Sequence, residues 1–244
     1  MEHDRRNDFK RPPKKYAPKG VVILYEDKDI LVVDKSPGLL TVGSEKEPDK
    51  TALNRLTDYV TRGNHKSKNK LFVVHRLDRE TSGVLIFAKT VEVKTYLMTE
   101  WEKFTKTYKA VVVGEPAEAE GLISSYLAPN GIHKMYVTHD KAEGKLAETK
   151  YKVAKVGPNF TLLDVELLTG RKHQIRVQLA SKGHAVAGDK QYAPSAKGVR
   201  RLALHSSTLT INHPFSKLPI TFTAPMPAYF ESLLNAPKED EKKA

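Results

Sequence analysis

The chain contains no cysteine among its 244 residues. Without thiols it can form no disulfide, no thiolate nucleophile and no cysteine-ligated zinc site, which fits a reducing compartment. It also lacks any run of about 18 apolar residues, the length that a membrane-spanning helix needs, and its basic start has no apolar centre of a signal peptide. We therefore expect a cytoplasmic protein with no membrane partner.

Motifs of the common cofactor sites are missing as well. We find no P-loop, no G-x-G-x-x-G and no H-E-x-x-H pattern, which argues against nucleotide, dinucleotide and zinc-protease sites. Nine histidines are present, but no pair of them stands in a convincing ligand context, so core or surface histidines are the better interpretation. We predict no metal and no cofactor.

Positive charge is the most prominent bulk property. Lysine and arginine number 41 against 29 Asp and Glu, which gives a net charge of +12. Polyanions are natural partners of such a surface, although charge of this kind can also serve solubility alone. Residues 1–20 hold seven cations, three acids and three prolines with almost no apolar periodicity. We expect a disordered basic arm there and a second polar tail over 237–244.

Between these ends, residues 21–236 should form one folded domain. Apolar runs, period-2 alternation and helical spacing predict its elements. The expected strands are 21–25, 30–33, 84–88, 108–113, the alternating stretch 162–167, 202–211 and 219–223; the expected helices are 52–60, 91–101 and 173–182, the last ended by Gly183. Hairpins dominate, so we predict an α+β fold with a mixed or mostly antiparallel sheet and flanking helices.

The most informative stretch is H-R-L-D-R-E-T-S-G, residues 75–83, which places Asp78 among cations at the entrance to an apolar strand. An isolated Asp in this setting is usually a turn residue that bonds its own backbone. However, Arg76 and Arg79 can hold a carboxylate ionised or bind phosphate. The alternative to a turn is therefore a catalytic acid.

Two other stretches carry candidate residues. L-T-G-R-K-H-Q-I-R, residues 168–176, is a second dense cationic segment at a strand-to-helix junction, where backbone amides and arginines can bind phosphate. It can also be an ordinary solvated helix face. Tyr108 lies between lysines at the start of a strand, and strand packing alone explains a tyrosine there.

Taken together in this order, these segments resemble the motifs of the RluA family of RNA pseudouridine synthases. The resemblance rests on residues 32–40, 75–83, 106–108 and 168–176, and it continues through Gly188-Asp189 and 202–205 to the C-terminal hairpin. It implies the pseudouridine synthase fold with an RNA-binding cleft. Many relatives carry a small ribosomal-protein-like RNA-binding domain before the catalytic one. The first strand begins near residue 21, so we expect the catalytic domain only.

The resemblance also implies roles for individual residues. Asp78 is the essential carboxylate, which either attacks C1′ or removes a C2′ proton. Tyr108 lies against the uracil face, and Arg176 is the cation that keeps the carboxylate ionised. Arg76 enters the base stack in place of the flipped uridine. The remaining substrate-binding residues are Leu168 in the pocket wall and Arg171 and Lys172 on flanking phosphates.

The implied reaction breaks the N1–C1′ bond of a uridine, turns the uracil and rejoins it through C5. Atoms balance without a cofactor, a metal or water. We expect rRNA or tRNA as the partner, no obligatory protein partner, and a monomer. Two alternatives remain open: a non-catalytic RNA-binding or chaperone module with the same fold, and a glycoside hydrolase, which would need a second placed carboxylate.

Overall fold

The computed structural model describes residues 16–43, 47–64, 66–131, 134–193 and 199–237. These residues form two compact units. The first unit comprises the chain up to Trp101 together with Thr210–Ala224, and the second comprises Glu102–Leu209 and the chain from Pro225 onward. The predicted domain 21–236 spans both units. Most of the expected arm, and all but the first residue of the expected tail, lie outside the described residues.

The elements follow one another in this order. The first unit contributes β1 (Val21–Glu26), β2 (Ile30–Lys35), α1 (Ala52–Thr61), β3 (Phe72–Val73), β4 (Ser82–Ala88) and α2 (Val91–Thr99). The second unit continues with β5 (Thr105–Val113), β6 (Glu120–Pro129), β7 (Met135–Thr138), β8 (Lys145–Val156), β9 (Phe160–Leu167) and α3 (Gln174–Ser181). Strand β10 (Leu204–Asn212) begins in the second unit and ends in the first, β11 (Pro219–Thr223) follows in the first, and α4 (Ala228–Leu234) belongs to the second.

In the first unit, β2 and β4 form the centre of an antiparallel sheet. Strand β2 pairs with β1 on one side and with β4 on the other, and the β2–β4 ladder runs from Ile30 opposite Ala88 to Lys35 opposite Gly83. All seven residues of β4 are buried. A continuous apolar run is typical of a strand covered on both faces, which explains why both strands were recognisable in the sequence.

The second unit is a sheet in the order β10-β5-β9-β8-β6-β7, with antiparallel ladders between β5 and β9, β9 and β8, β8 and β6, and β6 and β7. Helix α3 packs Ile175 and Leu179 on one face, in a cluster with Leu163 and Val165. Helix α4 packs Phe230 on another cluster, which contains Leu162.

That second cluster corrects the sequence interpretation of β9. The alternation predicted Leu162 on the solvent side, yet it is only 5% exposed. Helix α4 was not predicted, and its Phe230, Leu233 and Leu234 supply the apolar cover for Leu162. The error arose because the interpretation of an alternating pattern assumes that one face of the strand is exposed to solvent. The start of this strand is instead covered by helices on both faces.

Strands β6, β7 and β8 were also not predicted. Strand β8 carries five charged residues and is largely exposed at both ends. A signal was nevertheless present, because Ala147, Thr149, Tyr151 and Val153 alternate with Glu148, Lys150 and Lys152. Side chains alternate between the two faces of a strand, so this pattern fits a strand, but it is weaker evidence than apolar alternation because charged residues are also common in loops.

The other predicted elements are confirmed, with ends that differ by no more than three residues. Gly183 has a φ of 85°, the left-handed conformation predicted for the residue that ends α3. No helix in the described ranges is both long and apolar enough to cross a bilayer.

Candidate active site

Residues 76–81 form the turn that carries Asp78. This turn is anchored through Leu77, which lies between the candidate residues Arg76 and Asp78. Leu77 is 7% exposed, whereas Arg76 is exposed and Asp78 is half-buried. The Leu77 N–H donates to Thr41 Oγ1 at 3.2 Å, and the Thr41 hydroxyl donates to the Leu77 carbonyl at 3.0 Å. With Leu77 fixed inward, both neighbours project away from the core. We call this segment the Asp78 turn.

Buried Lys35 binds a backbone carbonyl of the Asp78 turn. Its ammonium donates to the carbonyls of Ser36, Leu39 and Arg79 at 3.1, 2.8 and 3.1 Å. Burial lowers the pKa of Lys35 to about 8, against the attraction of Glu80 and Asp78. Lys35 therefore positions the Asp78 turn and places a cation near its carboxylates. No role was predicted for Lys35, although it lies in one of the family-like motifs.

The remaining residues of the turn have structural partners. The Asp78 carbonyl accepts from the Thr81 N–H at 3.1 Å, as expected for a turn. His75 Nε2 accepts from the Ile86 N–H at 3.2 Å, and its ring stacks on Trp101 with centroids 4.4 Å apart. Arg79 pairs with Glu47 at 2.7 Å. This ion pair gives Arg79 a carboxylate partner other than Asp78.

In the second unit, Tyr108 lies in β5 opposite Val165 and packs on the apolar cluster that includes Ile175 of α3. Leu168 is partly exposed just after β9, and its N–H donates to the Glu148 carbonyl at 3.1 Å. These contacts place Tyr108 and the start of α3 on one apolar cluster.

The turn before α3 is built around buried Gln174. Its side-chain oxygen accepts from Thr169 Oγ1 and from the Arg171 N–H at 2.8 and 2.9 Å, and its amide donates to the Glu148 carbonyl at 3.0 Å. Arg171 Nε donates to the Leu146 carbonyl at 3.0 Å, while Lys172 is exposed. Arg171 is thus partly committed to the fold through its Nε.

Arg176 forms a two-bond ion pair with Asp189. Its Nε lies 2.7 Å from Asp189 Oδ2 and its Nη2 lies 2.9 Å from Oδ1, and the two side chains are 11% and 0% exposed. Burial raises the pKa of Asp189, but the Arg176 hydrogen bonds and charge and the N–H groups of Gln191 and Tyr192 outweigh it, so the pKa is lowered. Asp189 lay in a recognised motif, but its role needed the tertiary structure.

The candidate residues therefore fall into two groups. Arg76 and Asp78 share one turn of the first unit. Tyr108, Leu168, Arg171, Lys172 and Arg176 belong to the second unit, around α3 and the ends of β5 and β9. Sequence reasoning missed the residues that hold these groups in place: Thr41, Lys35, Gln174 and Asp189.

One cluster in the described ranges has the composition of a metal site. Ligand atoms of Asp27, Asp29 and His213 lie within 4.8 Å of one another. Asp27 Oδ1 already accepts from the N–H groups of Asp29 and Ile30, and its Oδ2 lies 2.7 Å from His213 Nε2. These bonds explain the cluster as a hydrogen-bonded turn between β1 and β2.

Comparison with known proteins supports the family resemblance that the motifs indicated. The profile of the RNA pseudouridylate synthase family matches residues 29–181. The chain is 33% identical over 217 residues to an uncharacterized RNA pseudouridine synthase of Bacillus subtilis, YjbO, covering 87% of this chain and 75% of that protein. It belongs to the RluA family of RNA pseudouridine synthases. This pseudouridine synthase is thus an isomerase that acts on RNA.

A second relative supports the family, and a solved structure supports the fold. The enzyme is 34% identical to ribosomal large subunit pseudouridine synthase D of Xanthomonas campestris over 241 residues, or 91% of this chain and 71% of that protein. Human RNA pseudouridylate synthase domain containing 1 superimposes with a TM-score of 0.71 at 24% identity, covering 96% of both chains. The predicted pseudouridine synthase fold is confirmed.

Proposed function

We propose that this enzyme isomerises specific uridines in structured rRNA or tRNA, with Asp78 as the essential carboxylate. The observation that carries the proposal is the anchoring of the Asp78 turn. Buried Leu77 is bonded through both of its backbone groups to Thr41, and Lys35 binds the Arg79 carbonyl, so the chain fixes the position of a half-buried carboxylate. A carboxylate that serves only as a turn residue does not need such support from two other segments.

The chemistry requires no atom from outside the substrate. The N1–C1′ bond breaks, uracil turns while it stays bound, C5 bonds to C1′, and the proton lost from C5 is balanced by a proton gained at N1. A delocalised uracil anion is a good leaving group, so one carboxylate can replace the pair that glycoside hydrolases use. We assign the C5 proton transfer to Tyr108 and the charge of Arg176 to stabilisation of the carboxylate.

Base flipping is the second part of the proposal. A stacked uridine hides C1′ and C5, and unstacking costs a few kcal/mol. Arg76 is exposed and, within the described residues, forms no ion pair. Its planar guanidinium is free to stack on bases and to bind phosphate at the same time. Arg171 and Lys172 are proposed to bind phosphates beside the target, and Leu168 to line the uracil pocket.

Large-subunit rRNA is the RNA class we favour. The Xanthomonas campestris relative and a Yersinia pestis relative at 33% identity are both ribosomal large subunit pseudouridine synthases D. Mapping pseudouridines in total RNA from cells with and without the gene tests this choice. A lost site in large-subunit rRNA is expected, and a lost site in tRNA alone would move the proposal to tRNA.

The catalytic assignment is tested with Asp78→Asn, which keeps the shape of the side chain and removes its charge. We expect RNA affinity within about twofold of the wild type and loss of pseudouridine formation by a factor of at least about 10³. Affinity is measured by filter binding and product by mass spectrometry of digested RNA. Measurable turnover by Asp78→Asn near the wild-type rate would refute the role of Asp78.

A further inference from the structure

A large basic pocket lies in the first unit, apart from the Asp78 turn. Its volume is about 990 Å³, within the range of ligand-binding pockets. Among the described residues, five cations and one carboxylate line it: Lys28, Arg62, Lys68, Lys70, Lys89 and Glu26. The rings of Tyr16 and Tyr59 also face it. We call this site the basic pocket.

The single carboxylate of the basic pocket is already neutralised within the fold. Glu26 Oε1 binds the Lys89 ammonium at 2.6 Å, and Glu26 Oε2 accepts from the Tyr59 hydroxyl at 2.6 Å. Lys89 also donates to the Asp27 carbonyl. Glu26, Tyr59 and Lys89 therefore form a structural wall. The positive charge available to a ligand comes from the four other cations.

Within the part of the chain that the structure describes, no carboxylate forms an ion pair with those four cations. Arg62, Lys68 and Lys70 are exposed and, among the described residues, form no ion pair. Lys28 Nζ lies 3.7 Å above the ring centroid of Phe215, a contact that leaves its charge in place. Like charges gathered around one cavity repel one another, so the arrangement is stabilised when an anion enters.

The segment that carries three of these cations is held by its own hydrogen bonds. The Gly63 N–H donates to the Asp58 carbonyl at 3.0 Å, and the Ser67 N–H donates to the Asn64 carbonyl at 2.9 Å. The Asn69 amide donates to the Val60 carbonyl at 2.9 Å. A cation on a pre-organised loop loses less conformational entropy when it binds a ligand.

Arg62 occupies a position that usually belongs to glycine. It ends α1 with φ 52° and ψ 37°, the left-handed conformation in which a side chain is disfavoured. The adjacent Gly63 has a φ of 67°. A guanidinium at this point complements the helix dipole, but glycine would fit the backbone better. An arginine in this conformation is better explained if its side chain binds something in the pocket.

The basic pocket and the Asp78 turn lie at opposite ends of the β2–β4 ladder. Lys35, which binds the Arg79 carbonyl, pairs with Gly83 at one end, and the Lys89 N–H donates to the Asp29 carbonyl just beyond the other. Six residue pairs span roughly 17 Å. That distance corresponds to on the order of five nucleotides along a helical strand.

We propose that the basic pocket binds phosphodiester groups of the substrate RNA several nucleotides away from the target uridine. The proposal rests on the function proposed above, because it takes RNA as the ligand. Tyr16 offers a ring on which a neighbouring base can stack. The contact would supply affinity for a long substrate and would contribute nothing to an RNA that ends close to the target.

The test compares two double variants with the same loss of charge. Lys68→Ser/Lys70→Ser removes two cations of the basic pocket, and Lys152→Ser/Lys182→Ser removes two exposed lysines of the second unit. Affinity is measured for a labelled stem-loop RNA of about 40 nucleotides and for an oligouridine of about five, at several salt concentrations. The control double variant should bind the stem-loop with an affinity within about twofold of the wild type.

For the pocket variant we expect affinity for the stem-loop to fall about tenfold and the slope of log K against log salt to become shallower by about 1 per lysine removed. Affinity for the pentanucleotide should stay close to the wild-type value. Equal affinities and slopes for the two double variants would overturn the proposal. So would an equal loss on the stem-loop and the pentanucleotide.

Arg62→Gly separates binding from folding. We expect weaker stem-loop binding with a melting temperature unchanged or raised, because glycine suits the left-handed backbone. Lower thermal stability with unchanged binding would make Arg62 a structural cap and contradict the proposal.

The last part of the experiment uses free anions as ligands. Uridine monophosphate and inorganic phosphate are titrated against the wild type and the pocket variant, and only weak binding is expected. The wild type could bind uridine monophosphate tightly while the pocket variant does not, with stem-loop binding unchanged in that variant. This result would mean that the ligand of the basic pocket is a free nucleotide and not RNA. The measurements read binding alone, so a failure of Asp78 catalysis does not affect them.

Discussion

The cations Arg176 and Lys35 bind different kinds of partner. Arg176 is paired through two nitrogens with the fully buried carboxylate of Asp189, and Lys35 donates to three backbone carbonyls. A buried ion is stable only while such partners are present, since removing one of them leaves an uncompensated charge. A substitution of Asp189, the side-chain partner of Arg176, should therefore act on both stability and catalysis.

Asp189→Asn is the sharpest test at this scale. The amide replaces one acceptor of the Arg176 pair by a donor, so we expect a loss of roughly 3 kcal/mol in the free energy of unfolding. Pseudouridine formation should fall at least about tenfold because the proposed catalytic Arg176 loses its position. Urea unfolding and single-turnover assays provide the two measurements.

Asp164→Asn is the matched control. Asp164 pairs with Lys109, but its side chain is 50% exposed, and exposed pairs contribute about 0–1 kcal/mol. If both variants lose the same stability, the buried pair has no special role.

Arg76→Ala tests base flipping. We expect a larger loss of activity on a uridine stacked in a stem-loop than on the same uridine in an unstructured strand, because only the former must be unstacked at a cost of a few kcal/mol. Single-turnover rates on the two RNAs give the comparison. Equal losses on both substrates would contradict the flipping role and leave Arg76 as a simple phosphate ligand.

Among the elements, the segment that follows α3 depends on two glycines for different reasons. Gly183 and Gly188 have φ values of 85° and 76°, so both favour glycine. A Cβ on Gly183 would meet nothing within 4 Å, whereas a Cβ on Gly188 would lie 2.2 Å from the Arg201 carbonyl oxygen. Gly188 therefore allows two backbone segments to approach closely beside Asp189.

Alanine substitutions at Gly183 and Gly188 should distinguish backbone strain from a steric clash. Gly183→Ala should cost about 1 kcal/mol, the usual penalty of a left-handed non-glycine residue. Gly188→Ala should cost roughly 3 kcal/mol and reduce activity, because the chain beside Asp189 must shift. Melting temperatures and pseudouridine formation check both values. Similar effects of the two substitutions would argue against the close approach.

Elements with a local signal were predictable. Strands β1, β2 and β4 have apolar runs, and α1 has helical spacing after Thr51, whose hydroxyl accepts from the Asn54 N–H at 3.1 Å. Strands β6 and β8 and helix α4 were not predicted. Strand β8 is polar enough to resemble a loop, and it is a strand because β6 and β9 bond to its two edges. Such pairing is a non-local interaction that a window of sequence does not contain.

At the scale of the whole molecule, the chain has a net charge of +12 at pH 7, and two of its carboxylates, Asp27 and Asp189, have a lowered pKa. Burial raises the pKa of Asp27, but hydrogen bonds from the Ile30 and Asp29 N–H groups, His213 and Tyr25 outweigh it, and the pKa of Asp189 is lowered through Arg176. Asp27 lies in the first unit and Asp189 in the second.

A lowered folded-state pKa means that the unfolded chain binds the proton more readily. The stabilisation from Asp27 and Asp189 is therefore complete above the unfolded pKa near 4 and is lost as the pH falls through the lower folded values. We expect the free energy of unfolding to decrease from pH 5 to pH 2. In urea titrations, Asp27→Asn and Asp189→Asn should each flatten that decrease. An unchanged slope in both variants would exclude these carboxylates as its source.

The sequence by itself determined the family, the candidate residues Asp78, Tyr108 and Arg176, the β1–β2 and β10–β11 hairpins and the helices α1, α2 and α3. It could do so because motifs, turn chemistry and hydrophobic period are carried by neighbouring residues. Only the tertiary structure decided which buried groups are paired. Asp189 meets Arg176 from 13 positions away, and Thr41 meets Leu77 from 36. The basic pocket likewise depends on the folded chain, since the charge of Glu26 is neutralised by Lys89, 63 positions later.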